Sequence, residues 1–237
     1  EMQRSLVGSE MCIRDSSAIR LRAQDEWMRT VFLACPALPW YSGGTKHKRE
    51  GGASMYRTEV KVAALPVAEW MKRYCFPGRF LDSCKQCPDY GRVWSCPPGV
   101  PEAGDYLGAY RMAHIIGVKV LYDDGERARA LRSPKEAETV RQETYGVVKK
   151  ALLEALLAFE RVSPGAVTVA AGRCEQCEVC TRLQDLPCQR PERMRYSFSA
   201  FGFDLTALAK EQLGMDLLWA GEGLPEYNVA IAAFLTR

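Results

Sequence analysis

The sequence predicts an α+β domain: a mixed β-sheet flanked by helices, including one βαβ unit and carrying two cysteine-rich loops of metal-binding type. Three observations carry this expectation. Ile115 to Tyr122 is a β-branched run bounded by Asp123-Asp124-Gly125, the pattern of a strand. Ser133-Pro134-Lys135-Glu136 opens a long helical pattern, and Ala166 to Ala170 behind it reads as a short buried strand. Close-set cysteines stand at Cys84, Cys87 and Cys96, and again at Cys174, Cys177, Cys180 and Cys188.

Each element has a local cause. Tyr56 to Val67 alternates loosely through Val60, Val62 and Ala64, as a strand does, and Pro66 marks its end. Val67 to Tyr74 reads as a short helix with Trp70 and Met71 on one side, and Pro77-Gly78 breaks the chain after it. Leu81 to Pro98 holds the first cysteine group in a stretch rich in proline, glycine and aromatics, and Pro101 to Tyr110 suits a helical turn. Ser133 as N-cap, Pro134 at the first helical position and Glu136 three residues past the cap form a capping box. Val140, Tyr145, Val148, Leu152, Leu156 and Phe159 then mark one apolar face, until Pro164-Gly165 ends the helix. Strand, helix and strand imply a right-handed parallel crossover. The second cysteine group therefore begins at Gly172, just past a strand's carboxyl end, where open sheets place their sites. Asp204 caps a helix through Leu205, Leu208 and Leu213 that Gly214 stops. Met215 to Trp219 and Tyr227 to Leu235 read as closing strands, although Ala230 to Leu235 also suits a helix.

The 237 residues, 47% apolar and 26% charged, suit a globular chain with a sizeable core. A net charge of +3 gives no footprint for nucleic acid or a polybasic membrane anchor, and no run reaches the length of a membrane helix. Residues 1–54 read differently from the rest. Arg4 to Ser16 resembles translated adapter sequence, and the stretch ends in a glycine-rich polar run. It is read as a non-native or disordered extension, with Met55 as the natural start and 55–237 as the domain. Without a secretory signal, ten cysteines fit a reduced, cytoplasmic, metal-bound protein better than a disulfide scaffold.

Cys174-x2-Cys177-x2-Cys180 suits a compact cluster better than a single ion, because a tetrahedral zinc takes one C-x2-C pair from each of two segments. The bacterial ferredoxin run is C-x2-C-x2-C-x3-C-P; here the fourth cysteine, Cys188, follows after seven residues and Pro191 comes later still. The expected cofactor is an iron–sulfur cluster of the four-iron type (4Fe-4S), with zinc as the alternative. The ligands are Cys174, Cys177, Cys180 and Cys188, then Cys84, Cys87 and Cys96. Three cysteines leave the first group one ligand short, with Cys75 near enough upstream to complete it and Cys188 able to cross over. His114 reads as a structural residue. A thioredoxin-type dithiol at Cys84-x-x-Cys87 is disfavoured, since such a pair starts a helix after a strand and here Pro88 and Gly91 follow. Phosphate-loop and dinucleotide motifs are absent, and a single usable histidine builds no triad. Arg92, Arg173, Arg182, Arg190, Arg193 and Arg195 either offset thiolate charge or form a solvated surface. Trp94 and Tyr90 are expected to shield the first group or simply to pack.

Cys84-x-x-Cys87-Pro88-x-Tyr90-Gly91-x-x-Trp94-Ser95-Cys96-Pro97-Pro98 resembles a motif of a family of predicted metal-binding proteins, the domain of unknown function 2284. The same resemblance extends to Gly172-Arg173-Cys174-x-x-Cys177-x-x-Cys180-Thr181-Arg182, Pro187-Cys188-x-x-Pro191 and Gly202-Phe203-Asp204. It covers Met55 to the end and implies metal or iron–sulfur binding without implying a reaction. The chain departs from the family pattern at Ser199, where the family tends to carry an acidic residue before Ala-x-Gly. Electron transfer or a redox accessory role, with a redox partner protein, is the function expected. A zinc-bound structural or adaptor protein and an enzyme with an open cluster corner are the alternatives.

Overall fold

The computed structural model describes residues 46–48, 54–219 and 223–237. The expectation of an extension over residues 1–54 lies outside them, apart from the short strand β1, Lys46–Lys48. Strand β2 (Ser54–Pro66) runs directly into helix α1 (Val67–Tyr74). The short helices α2 (Leu81–Gln86) and α3 (Ala103–Leu107) flank the first cysteine loop. Strand β3 (Met112–Tyr122) follows, then α4 (Asp124–Ala130), whose N-cap Asp123 accepts the Gly125 N–H. The Asp123-Asp124-Gly125 boundary of the strand is thus a helix start.

The long helix is present but interrupted. It comprises α5 (Pro134–Arg141), a π-helical turn over Gln142–Gly146, and α6 (Val147–Val162). The five-residue step from Val140 to Tyr145 in the apolar pattern is the sequence trace of that wider turn. Ser133 Oγ accepts the Glu136 N–H at 3.1 Å, as a cap should. The Glu136 carboxylate does not close the capping box; it accepts from Arg129 Nε at 2.6 Å instead.

Strands β4 (Val167–Val169) and β5 (Tyr227–Thr236) complete the sheet in the order β1-β2-β3-β5-β4. Every neighbouring pair is antiparallel, which corrects the expectation of a mixed sheet. Strands β3 and β4 do run parallel, as a βαβ unit requires, but β5 is inserted between them. The reason is length: β5 offers β3 a partner from Met112↔Thr236 to Leu121↔Tyr227, whereas β4 has only three residues to give. Among the described residues the parallel pairing is a single bridge, Ala170 to Ser197. Met215 to Trp219 is not a strand. Met215 packs on the sheet face, where a Cβ at Gly117 would meet Met215 Sδ at 3.2 Å and Leu213 Cδ1 at 2.6 Å. The last helix is one α turn, α7 (Leu205–Leu208), capped by Asp204 and extended by a π turn to Leu213.

Alternation along the strands sends Ala113, Ile115, Ile231, Ala233 and Leu235 to one face. There they meet Trp70, Tyr74, Phe198, Phe201 and Phe203, with Trp70 stacked on Phe203 at 4.2 Å and edge-on to Phe198 at 5.4 Å. The opposite face carries Phe234, against which Phe159 of α6 packs edge-on at 6.3 Å. Fully burying such aromatic and aliphatic side chains contributes about 1.5–3 kcal/mol each. The exposed edge of β4 is covered: the Thr168 N–H donates to Glu160 at 2.6 Å, and Arg195 pairs with the same carboxylate. This fastens the strand from which the second cysteine loop departs.

Candidate metal centre

The second loop begins where β4 ends. Gly172 turns the chain with φ +79°, and a Cβ there would press on Lys149 at 3.4 Å. Burial holds the Lys149 pKa down, opposed by Glu175, whose carboxylate lies 3.9 Å from Lys149 Nζ. From there Cys174, Cys177, Cys180 and Cys188 line one pocket. Trp94, Thr181, Arg190 and Met194 also line it, and its walls hold no carboxylate or imidazole. The Thr181–Gln184 turn returns Cys188 to the other three, with Thr181 Oγ1 donating to the Pro187 carbonyl at 2.8 Å. Burial raises the Cys174 pKa, and charge on Cys188, Cys177 and Cys180 raises it further. These four thiols therefore share one electrostatic environment, in which thiolates need a compensating cation.

The first loop is built from α2 and the turns after it. Cys84 sits in the helix and Cys87 caps its C-terminus, its N–H donating to the Cys84 carbonyl at 3.0 Å. A redox dithiol would instead begin the helix. Gly91 N–H to the Pro97 carbonyl, at 2.8 Å, folds Cys96 back toward that end. Burial pushes the Cys96 thiol up to about 11, with Cys87 and Cys84 both adding to the effect. Burial and Cys87 raise Cys84 in the same way. Cys84, Cys87 and Cys96 are thus near enough to raise one another's pKa, and the other four line one pocket.

Cys75 does not complete the first group. Its Sγ donates to the Phe201 carbonyl at 3.3 Å, and burial pushes its pKa up to about 11. His114 stands within the sheet opposite Phe234, with its pKa lowered by burial. Among the described residues, no three His, Cys, Asp or Glu side chains converge closely enough to hold one metal ion. Beside Cys84 opens a second pocket, of about 230 Å³, whose walls include Phe80, Pro97, Val100, Glu102 and Ser199. Gly202 also lines it, with φ +81°, where a Cβ would strike the Phe76 carbonyl at 2.8 Å. Ser199, the departure from the family pattern, lies 3.0 Å from Ser197 through their hydroxyls.

The two loops interlock. Arg182 of the second donates to the Val93 carbonyl at 2.9 Å, to the Cys96 carbonyl at 2.8 Å and to the Pro98 carbonyl. Its guanidinium also lies 4.9 Å from the Trp94 ring centre. Trp94 Nε1 donates to the Leu186 carbonyl at 3.1 Å, and Trp94 walls the pocket of the second group. Arg173 pairs with Asp89 at 3.1 Å, Arg193 with Glu154, and Arg195 with Glu160. Most of the arginine cluster is therefore bracing, a role that sequence proximity to the cysteines did not separate from charge compensation. Ser95 was missed as a residue of interest. It is fully buried and its Oγ accepts the Cys174 N–H at 2.8 Å, and only its place beside Cys96 could have flagged it.

An antiparallel sheet bearing two all-thiol loops defines a cysteine-rich α+β protein of metal-binding type. The family model described as predicted metal-binding protein (DUF2284) matches residues 60–232, and the chain belongs to that family. No curated protein and no solved structure matches it.

Proposed function

We propose that this is an iron–sulfur protein serving electron transfer or a redox accessory role. The carrying observation is the pocket lined by Cys174, Cys177, Cys180 and Cys188 with no carboxylate or imidazole in its walls. An all-sulfur donor set selects soft metals and clusters. A spread of thiols around a pocket fits a multi-iron group better than it fits one tetrahedral ion. Cys84, Cys87 and Cys96 would hold a second group of the same kind. When bound, a four-iron cluster supplies one-electron chemistry at a potential that the surrounding residues adjust. The chain's part is to supply thiolates, to exclude water with Trp94 and Met194, and to brace both loops through Arg182. Such a role belongs in a reducing, cytoplasmic setting and requires a redox partner protein. Among the described residues no helix is long and apolar enough to cross a membrane.

Anaerobic purification with analysis of iron, zinc and acid-labile sulfide tests this reading. Iron and sulfide in comparable amounts are expected; zinc without sulfide makes the protein a zinc-bound structural or adaptor protein instead. The pocket beside Cys84 favours one further reading, in which the first site lacks a fourth protein ligand and meets a small molecule there. An electron-paramagnetic signal of that site that changes on adding a small molecule would support it.

A further inference from the structure

We propose that Ser95 is a positioning residue that couples the two thiol groups, donating a hydrogen bond to the Cys96 sulfur while accepting the Cys174 N–H. The inference rests on the iron–sulfur reading above. Ser95 is fully buried, and its Oγ takes the Cys174 N–H at 2.8 Å and lies 3.8 Å from Cys96 Sγ. With Cys96 as a metal ligand, that second contact has one direction. A thiolate sulfur carries no proton, so the serine hydroxyl must donate. The amide already occupies a lone pair of Oγ, which leaves the hydroxyl proton free to point at sulfur. The backbone of Ser95 is fixed as well, because its carbonyl accepts the Ser197 N–H at 3.0 Å.

Hydrogen bonds to ligand sulfur are among the main means by which a protein sets a cluster's potential. A donor to Cys96 favours the more negative, reduced form and so raises the potential of the first site. The same hydroxyl holds the first residue of the C-x2-C-x2-C run in the second. Arg182 also joins the loops, but it reaches carbonyls and no sulfur, and its charge stays in place when Ser95 is replaced. If Ser95 were only a tie between loops, its loss would lower stability and leave the separation of the two potentials unchanged.

The test is a redox titration of the anaerobically reconstituted full chain, followed by electron-paramagnetic resonance. Cys84→Ser and Cys177→Ser variants identify which signal belongs to which group. Ser95→Ala is expected to move the midpoint of the Cys84/Cys87/Cys96 site to a more negative value and to leave the other nearly unmoved. Ser95→Thr, which keeps the hydroxyl, is expected to restore the wild-type midpoint. Should Ser95→Ala fail to fold, the isosteric pair Ser95→Thr and Ser95→Val makes the same comparison, with the shift expected in the valine variant alone. Unchanged midpoints with iron retained, or equal shifts at both sites, overturn the inference while leaving the iron–sulfur reading intact. Wild-type protein that takes up neither iron nor sulfide overturns that reading, and the inference with it.

Discussion

The two cysteine loops use one ligand type in opposite ways. The second hangs from the end of a fastened strand, and its four thiols enclose their own pocket. The first is set on a six-residue helix and the turns after it, with three thiols and a larger pocket opening beside Cys84. In zinc proteins a closed ligand set marks structural sites and an open position marks catalytic ones. On the function proposed above, the same logic would give the second loop the holding and the first the exchange with what enters its pocket. The difference lies in backbone support, because the cysteine residues themselves are alike.

The largest effects test whether these are two sites at all. Cys177→Ser is expected to remove all metal held by the second loop and leave the first loaded, and Cys84→Ser to do the reverse. Metal and sulfide analysis of the two variants checks this, and total loss in both would merge the loops into one centre. Arg182→Ala comes next. Losing its charged hydrogen bonds to partly buried carbonyls is expected to cost about 2–4 kcal/mol, read as a lower denaturant midpoint. Arg182→Lys should recover only part, since an ammonium lacks the planar fork that spans several carbonyls. Ser133→Ala, on the helix away from both loops, is expected to cost about 1 kcal/mol with metal content unchanged. The smallest effect concerns acid. Burial lowers the His114 pKa below its ordinary 6.5, so below that pH the unfolded chain binds a proton that the folded chain does not. Stability should therefore fall as pH drops below about 6.5, until the lowered folded pKa is reached. His114→Gln should flatten that slope in thermal melts at several pH values.

Much of the fold was legible because each element carries its own local cause. Val67–Tyr74 begins after Pro66 as read, and Tyr227–Thr236 resolves as strand because it is the full-length partner of β3. The insertion of β5 was not legible. Alternation within a strand says which face is buried but not which neighbour it pairs with, and that choice depends on competing lengths across the whole sheet. The pocket shared by Cys174, Cys177, Cys180 and Cys188 followed the sequence spacing. The exclusion of Cys75 did not, since it depends on Phe201 being brought to Cys75 by a distant segment. Trp94 shows the same limit: it neighbours Cys96 in sequence, and its place in the wall of the other group's pocket depends on the two loops interlocking.

The placement of β5 has a consequence for how the protein is made. Among the described residues, the sheet partner of β4 is β5, and β5 comes after all seven site cysteines in the chain. On a ribosome adding ~5–20 residues per second, Cys174 to Cys188 emerge a few seconds before the strand that anchors their loop. During that interval seven free cysteines stand on a nascent chain whose sheet is not yet complete. Metal loading that waits for β5 finds a formed pocket; loading that precedes it meets a loop still free to offer its sulfurs in other combinations.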